Sequence, residues 1–302
     1  MDAAKSLLRH ASEVSVIPRK IIIGKIIRCG TMDRERGTDG AFLVRADGSG
    51  WVFNHRTGEK KTFQAVENDG LAPEARSEQR ARIEKKQREQ EELQARRYEA
   101  ASETAWRIWS LATPANSDHP YAIRKGIKVD GLRELNGWLL VPVYGIQGKL
   151  QSLQYINSEG MKRFLSGGKL AGGRFRIGPK PKTDDTILLC EGYATGATLL
   201  NETSYPVFVA FSASNLERIA LSIRARFPKS KIIVCGDNDH ETDKKTGKNP
   251  GIQAARRAAS LIGGTVAFPP ALPGISDFND YAAYLKRKCN ERYERSNGKR
   301  VS

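Results

Sequence analysis

The sequence predicts an α/β protein whose carboxyl-terminal half is a parallel sheet with flanking helices. From residue 186 onward, the apolar runs ILLC, PVFVAF, KIIVC and TVAF alternate with helical segments. The runs are continuously apolar, as is typical of strands that are covered on both faces. Right-handed crossovers between strands of this kind give a parallel sheet. Hydrophobic residues make up 39% of the 302-residue chain, which excludes a wholly disordered protein.

The segments before this sheet have different compositions. A helix is expected within residues 1–16, and short apolar runs between residues 20 and 63 are separated by Gly- and Asp-rich turns, which predicts a small β-rich module. A long stretch of alternating charge follows, with pairs such as Glu84 and Arg88 at helical spacing, which predicts an exposed helix and a linker. A dimeric coiled coil is the alternative, but its apolar residues keep no heptad.

After the linker, alternating apolar runs broken by Gly-rich turns predict a basic antiparallel ribbon, which leads into the parallel sheet and a basic tail. The predicted domains are a β-rich module over 1–73, a charged helical linker over 74–112, a basic antiparallel subdomain over 113–183, the parallel sheet over 184–285 and a basic tail over 286–302.

The charge balance favours a polyanionic partner. The chain contains 50 Lys and Arg residues and 34 Asp and Glu residues, and residues 127–183 alone carry a net charge of +7. No apolar stretch is long enough to cross a membrane, and the first residues lack the apolar core of a signal peptide, so we expect a cytoplasmic protein with no membrane partner. Four scattered cysteines without a CxxC pair exclude a disulfide scaffold and disfavour a zinc finger.

Carboxylates follow three of the predicted strands. Glu191 comes directly after ILLC, Asp237 and Asp239 follow KIIVC, and Asp277 and Asp280 follow the fourth strand after a Pro- and Gly-containing loop. In open α/β sheets the functional groups gather beyond the carboxyl ends of the strands. Hard oxygen ligands in an Asp-x-Asp spacing favour Mg²⁺ or Mn²⁺. The alternative is that these acids only cap strand ends or lie in solvent.

A second set of candidates is basic and lies in the ribbon and its Gly-rich exit. Glycines let the backbone approach a phosphate closely, and Lys and Arg supply the opposing charge, so we expect contacts to nucleic acid or nucleotide. The alternative is a solvated basic surface. The predicted nucleic-acid or nucleotide-binding residues are Lys149, Lys162, Arg163, Lys169, Arg174 and Arg176.

The motifs LLCEGYATGATLL, IVCGDND and DFND, at their intervals in this chain, resemble the Toprim domain of DnaG-type primases, topoisomerases and certain nucleases. The forms EGYATG and DND, followed by NPGIQAARRAA, are most similar to Toprim-containing primases of plasmids and phages. Upstream, HPYAIRKGI and LLVPVYGIQGKLQSLQYI with KRFLSGG resemble the helix and basic subdomain of the primase catalytic core. The resemblance covers about residues 117–285.

The resemblance implies roles for individual residues. Glu191 matches the Toprim glutamate, a metal ligand or general base, and Asp237 and Asp239 match the metal-binding Asp-x-Asp pair. Asp277 matches a later acidic motif only loosely and is the weakest metal candidate. Thr195 stands where DnaG-type enzymes usually carry a further aspartate, which weakens any role for a fifth carboxylate.

The implied function is a DNA primase, a nucleotidyltransferase that makes short primers on single-stranded DNA from nucleoside triphosphates for plasmid or phage replication. Mg²⁺ or Mn²⁺ is the implied cofactor, and no zinc is expected because Cys29 and His55 are too few for a closed zinc site. The chain has no Walker A spacing, so any replicative helicase would be a separate partner. A Toprim-type nuclease and a non-catalytic single-stranded-DNA-binding protein are the alternatives.

Overall fold

The computed structural model of the protein describes residues 3–64 and 73–298. The chain divides into two compact units, Met1–Glu92 and Leu93–Ser302. The second unit holds all of the predicted site residues. Among the described residues, no helix has the length and apolar character that crossing a bilayer would require. All four cysteines are free thiols, in agreement with the expected absence of a disulfide scaffold.

The first unit is an antiparallel sheet with one helix on one face. The helix α1 (Ala3–Glu13) buries Leu7 and Ala11 against the sheet, where they meet Phe42 and Val52. Successive side chains of a strand point to opposite faces, so Phe42 and Val52 face the helix and Trp51 and Phe53 face away. The strands, in sheet order, are β1 (Val16–Ile17), β2 (Ile26–Thr31), β3 (Gly40–Val44), β4 (Gly50–Asn54) and β5 (Lys60–Phe63).

The long charged segment forms a single 39-residue helix, α2 (Pro73–Leu111). One of the expected i,i+4 pairs, Glu84 and Arg88, lies at 3.9 Å between side-chain nitrogen and oxygen. The boundary between the two compact units falls within this helix. The predicted linker role stays a prediction.

The predicted basic ribbon is a five-stranded antiparallel sheet, with strand order β10-β9-β8-β7-β6. The helix α3 (Pro120–Lys125) precedes most of it; the His119 ring caps its first turn, and Gly126 ends it in the left-handed conformation at φ 61°. The strands are β6 (Thr113–Pro114), β7 (Arg133–Leu135), β8 (Trp138–Tyr144), β9 (Leu150–Ile156) and β10 (Lys162–Phe164).

The carboxyl-terminal sheet carries the four strands that the apolar runs predict, and they pair in parallel. Because alternate side chains face opposite sides, Leu188 and Cys190 pack with α4 while Ile187 and Leu189 pack with α5 and α7. The strands are β12 (Thr186–Cys190), β13 (Val207–Val209), β14 (Lys231–Cys235) and β15 (Thr265–Ala267), and the helices are α4 (Tyr193–Thr203), α5 (Ala213–Arg226), α6 (His240–Thr246), α7 (Pro250–Leu261) and α8 (Phe278–Gly298).

Two features of this sheet differ from the sequence-based expectation. The sheet is mixed, because β11 (Phe175–Ile177) joins its edge antiparallel to β13, giving the order β11-β13-β12-β14-β15. A three-residue strand flanked by Gly-rich turns gives too weak a pattern to predict its partner. The helix α8 also runs through the boundary at residue 285, so the first part of the predicted basic tail continues a helix. Residues 299–302 of that tail lie outside the described residues.

Candidate active site

The carboxylates lie at the carboxyl ends of the two central strands. The last residues of β12 and β14, Cys190 and Cys235, are directly opposite each other in the parallel register. Glu191 therefore leaves the sheet beside Gly236, and Asp237 and Asp239 follow within four residues of the end of β14. The strand register thus brings two distant sequence motifs to one edge of the sheet, as parallel pairing requires.

The site is a concentration of negative charge. Burial, the largest cause, raises the pKa of Asp237 to about 8, and the carboxylates of Glu191, Asp277 and Asp239 add to the effect, while Lys162 opposes it. Burial also raises the pKa of Glu191, with the Asp239 carboxylate as the second cause. Like charges that share a partly dry site raise one another's pKa in this way. We call Glu191, Asp237, Asp239 and Asp277 the carboxylate cluster.

The residues of this cluster fit a hard cation chemically. The Asp237 side-chain oxygen Oδ1 is buried and has no hydrogen-bond partner, although it is a charged acceptor when ionised. A buried unpaired acceptor costs free energy that a cation would recover. Across the described part of the chain, no three His, Cys, Asp or Glu side chains stand close enough together to form a ready-made metal centre. Mg²⁺ is usually bound through one or two carboxylates, with water and substrate phosphates as the remaining ligands.

The two later acids play different roles. One oxygen of Asp277 accepts a hydrogen bond from the backbone N–H of Asp280 at 2.8 Å at the start of α8, and its charge acts on Asp237. Asp280 instead forms an ion pair with Lys125 at 3.3 Å and accepts hydrogen bonds from Ser276. Burial raises the pKa of Asp280, but Lys125 and Ser276 outweigh burial and lower it overall. Asp280 thus stabilises the loop, and of these two acids only Asp277 belongs to the carboxylate cluster.

Two buried asparagines that the sequence analysis did not identify hold the Asp-x-Asp segment in place. Asn249 caps α7 through Ile252, accepts a hydrogen bond from the Asp239 backbone N–H at 3.3 Å and donates to the Asn238 side chain at 2.9 Å. Asn238 in turn donates to the Pro269 carbonyl oxygen at 3.0 Å. The sequence signal was present in the Asn-Pro pair that opens α7, which is typical of a helix start.

Close packing of the backbone fixes the same segment. A Cβ atom at Gly236 would lie 2.6 Å from the Ala255 Cβ, and one at Gly251 would lie 2.4 Å from the Asp237 carbonyl oxygen. Neither glycine has a positive φ. Both are needed for space, because α7 approaches the end of β14 more closely than any side chain would allow.

The strand β10 separates two candidates that are adjacent in sequence. Lys162 and Phe164 share one face of the strand, and the Phe164 ring meets the Phe211 ring of the carboxyl-terminal sheet at 6.0 Å. Arg163 points to the other face, where its guanidinium lies 4.4 Å from the Trp138 ring. Only Lys162 therefore faces the carboxylate cluster.

The charges around Lys162 agree with its orientation toward the carboxylate cluster. The residue is exposed, but neighbouring protein atoms remove part of the hydration of its ammonium, which is the largest cause of its lowered pKa. The Lys125 ammonium lowers the pKa further, while the carboxylates of Asp277 and Asp237 oppose both effects. Lys162 is thus the basic side chain of the ribbon that acts electrostatically on the cluster.

The other basic candidates are dispersed. Lys149 forms an ion pair with Glu99 of α2 at 2.6 Å, and the Lys169 ammonium lies 5.7 Å from the Tyr98 ring. Arg174 and Arg176 flank Phe175, the first residue of β11 in the other sheet, and the Arg174 backbone also forms an antiparallel bridge with Tyr144 of β8. The six predicted residues are thus spread over the antiparallel sheet, its Gly-rich exit and the edge of the carboxyl-terminal sheet.

Residues 186–285 match the family model for the Toprim domain. The chain is 30% identical over 266 residues to a DNA primase TraC of Escherichia coli, covering 84% of this chain and 25% of that protein. A second DNA primase TraC of Escherichia coli is 28% identical over 266 residues, covering 85% of this chain and 18% of that protein. The chain thus spans a quarter or less of the length of these relatives.

Among solved structures, the primase fragment of the bacteriophage T7 primase-helicase protein covers 88% of this chain and 97% of its own, at 15% identity and a TM-score of 0.39. The match to the Toprim model begins at residue 186, with β12, and ends at residue 285, within α8. It therefore contains the whole carboxylate cluster. The resemblance of the chain to Toprim-containing primases of plasmid and phage type is thus confirmed, with the match to the Toprim domain at residues 186–285.

Proposed function

We propose that this chain carries the catalytic core of a DNA primase, which makes short primers on single-stranded DNA for plasmid or phage replication. The observation that carries the proposal is that Phe164 packs on Phe211 at 6.0 Å and so turns Lys162, on the same face of β10, toward the edge of the Toprim sheet where the carboxylate cluster lies. A carboxylate site for a divalent cation beside a basic side chain suits a triphosphate, which needs both its charge neutralised and its position fixed.

The acidic and basic residues of the site have different proposed roles. Asp237 and Asp239 would hold Mg²⁺ or Mn²⁺, which when bound neutralises charge on the phosphates and polarises the oxygens of the reacting group. Burial raises the pKa of Glu191, so it is a stronger base than an ordinary carboxylate. Lys162 would bind the phosphates of the incoming nucleotide from the ribbon side. Arg163, on the opposite face of β10, would make no contact with that nucleotide.

In the proposed step, the 3′-hydroxyl oxygen of the growing primer attacks the α-phosphorus of the incoming nucleoside triphosphate. The new phosphorus–oxygen bond forms as the bond to the β-phosphate oxygen breaks, and pyrophosphate leaves. Glu191 accepts the proton of the hydroxyl. The electron pair of the broken bond stays on pyrophosphate, whose charge Lys162 offsets.

Incubation of the chain with single-stranded DNA, labelled ribonucleotides or deoxyribonucleotides and Mg²⁺ or Mn²⁺ tests the proposal. We expect labelled oligomers that grow with time, and a Glu191→Gln variant that makes at least 100-fold less product, because it keeps the shape of the side chain and loses the base. Glu202→Gln, an exposed position on α4, is the matched control.

Two results would refute a primase. Shortening of the labelled DNA without synthesis would indicate a Toprim-type nuclease, in which water replaces the 3′-hydroxyl. Binding of single-stranded DNA with neither synthesis nor cleavage would indicate a non-catalytic binding protein. Single-stranded DNA and nucleoside triphosphates are the proposed ligands, and a separate replicative helicase is the proposed protein partner.

A further inference from the structure

A basic cavity lies away from the carboxylate cluster, at the outer edge of the Toprim sheet. Its volume is about 330 Å³. Four cationic side chains line it, and no Asp or Glu does. The four are contributed by β11, by the loop before β12 and by the end of α5, and they are Arg174, Arg176, Lys180 and Arg226.

Two of these four cations, Arg174 and Arg176, have neutral hydrogen-bond partners. Arg174 donates hydrogen bonds to the Ser222 hydroxyl at 2.7 Å and to the Ile146 carbonyl oxygen at 3.3 Å, and Arg176 donates to the Gly178 carbonyl oxygen. Within the described residues, none of the four lies in an ion pair with a carboxylate. Burial, and next the Arg226 guanidinium, lower the pKa of Arg174. Positive charges gathered without a counter-ion favour binding of an anion.

The basic surface extends beyond this cavity. A neighbouring groove of about 550 Å³ shares Ile146, Arg174 and Arg226 with it and adds Arg218, again without a lining Asp or Glu. The two spaces adjoin each other at these shared residues and are treated as one depression. We call its five cations, Arg174, Arg176, Lys180, Arg218 and Arg226, the arginine groove.

The arginine groove and the carboxylate cluster occupy different parts of the sheet. Lys180 precedes β12, and Arg226 ends α5 just before β14, so this part of the groove lies toward the amino ends of the parallel strands. Glu191 and Asp237 follow the carboxyl ends of the same two strands. The Lys180 and Arg226 end of the groove is thus at the opposite edge of these strands from the carboxylate cluster, while Arg174 precedes Phe175, which pairs with Val209 at the carboxyl end of β13.

We propose that the arginine groove binds the sugar–phosphate backbone of a nucleic-acid strand, independently of sequence. The groove carries five cations over two adjoining spaces of about 330 and 550 Å³, which suits consecutive phosphates of a strand better than one free anion. Three aromatic residues also line the cavity: Phe208 is buried with the Arg174 guanidinium 5.5 Å from its ring, the Arg226 guanidinium lies 5.8 Å from the Phe227 ring, and the third is Tyr144. The inference concerns binding alone and goes beyond the proposed primer synthesis.

The salt dependence of binding tests this proposal with matched charge changes. The variant Arg218→Ala with Arg226→Ala removes two cations of the groove, and Lys229→Ala with Lys231→Ala removes two exposed cations that line neither space. Fluorescence anisotropy of a labelled single-stranded oligonucleotide is measured with the full chain from 0.05 to 0.5 M salt. EDTA keeps divalent cations out, so that failure of the synthesis assay would not affect this result.

For the groove variant we expect the slope of log K against log salt to flatten by ~1.4, since each phosphate contact on a single strand contributes ~0.7. The control variant should keep the slope of the unchanged chain. Replacing the same two arginines by lysine should restore most of the affinity, because backbone phosphates require charge rather than a planar fork. This third variant also shows that a loss in the alanine variant is not a loss of fold.

Three results would overturn the proposal. Equal flattening in the groove variant and the control would mean that only the overall positive field attracts DNA. A groove variant with unchanged slope and affinity would mean that the five cations are solvated surface. A loss of affinity for a nucleoside triphosphate with unchanged binding of the oligonucleotide would assign the groove to a free nucleotide.

Discussion

The carboxylate cluster and the arginine groove are like-charge concentrations of opposite sign in the same compact unit. The cluster lies where β12 and β14 end, and burial, followed by repulsion between its carboxylates, raises the pKa values of Glu191 and Asp237. The groove is built from an edge strand, the loop before β12 and the helix α5, and Arg174 and Arg176 in it donate to neutral partners. The cluster therefore favours a cation and the groove favours an anion.

The cluster and the groove also differ in how far the sequence alone predicts them. The acids of the cluster follow apolar strands directly, and the parallel register then brings them together. The cations of the groove come from segments without a shared pattern. Arg174 lies beside a three-residue strand and Arg226 at a helix end, and only the fold brings them to one depression.

The largest effect should come from removing charge in the cluster. Asp237→Asn keeps the shape of the side chain but loses the ionised oxygen, so we expect at least a 100-fold loss of metal-dependent primer synthesis, equivalent to about 3 kcal/mol of transition-state stabilisation. Asp243→Asn makes the same change at an exposed position of α6 and should retain activity. Binding of single-stranded DNA in EDTA should be the same in both variants.

Equal primer synthesis by the Asp237→Asn and Asp243→Asn variants would show that the carboxylate cluster has no role in synthesis. The contrast between a catalytic cluster and a binding groove would then fail. Weaker DNA binding by the Asp237→Asn variant in EDTA would contradict the assignment of DNA binding to the groove alone. The cluster and the groove would then not be separable.

The next effect separates the two faces of β10. Lys162→Ala should raise the apparent KM for nucleotide by about tenfold, about 1.4 kcal/mol, because its ammonium is the nearest charge to the cluster from the ribbon. Arg163→Ala should change that KM by less than about twofold. Its guanidinium instead packs on Trp138, which contributes about 0.5–1 kcal/mol to stability. Steady-state kinetics and urea denaturation of both variants measure the two effects.

A larger rise in KM for Arg163→Ala than for Lys162→Ala would reverse the assignment of the two faces. The sequence alone treated Lys162 and Arg163 as one basic pair. Alternation along a strand separates them, but which face meets the Toprim domain depends on the packing of Phe164 on Phe211, two rings that are 47 residues apart in sequence.

More of the fold than of the site was accessible to sequence reasoning. Long apolar runs predicted β12, β13 and β14, because their burial on both faces leaves a continuous pattern. The partner of β11 was not predictable, since a three-residue strand carries no periodicity. Glu191 and Asp237 followed from their positions after strands. The buried Asn249 did not, because its role depends on reaching across to Asp239.

The segment that carries Arg174 is tied to the end of β13 by a buried side chain, Asn215 of α5. Its oxygen accepts a hydrogen bond from the Gly172 N–H at 2.9 Å, and its nitrogen donates to the carbonyl oxygens of Gly173 and Ala210 at 2.8 Å each. These bonds hold the Gly-rich exit of the ribbon, which carries Arg174, to the end of β13.

Asn215→Ala leaves these backbone groups buried without a partner, at a cost of about 2 kcal/mol in the free energy of unfolding. Urea denaturation measures the loss, and the exposed neighbour Ser214→Ala should cost less than about 0.5 kcal/mol. The altered position of Arg174 should also weaken oligonucleotide binding in EDTA. Unchanged DNA binding despite lower stability would show that the arginine groove does not depend on this connection.

The smallest effect is the pH dependence of stability without divalent cations. The pKa of Asp237 is about 8 in the folded chain, against an ordinary value of 3.8, mainly because of burial. Between these two values the folded chain holds a proton that the unfolded chain has released. Unfolding therefore releases a proton, and stability declines as the pH rises from about 4 to about 8.

Thermal unfolding in EDTA should accordingly show a Tm that decreases by a few degrees between pH 6 and pH 8. The Asp237→Asn variant cannot lose this proton, so the difference between the two Tm profiles isolates Asp237 from Glu191 and Lys162. Mg²⁺ or Mn²⁺ should raise the Tm of the unchanged chain more at pH 8 than at pH 6, because the ion replaces the proton on an ionised carboxylate. If the two profiles run parallel and the rise with the ion is independent of pH, the oxygens of Asp237 do not meet the cation.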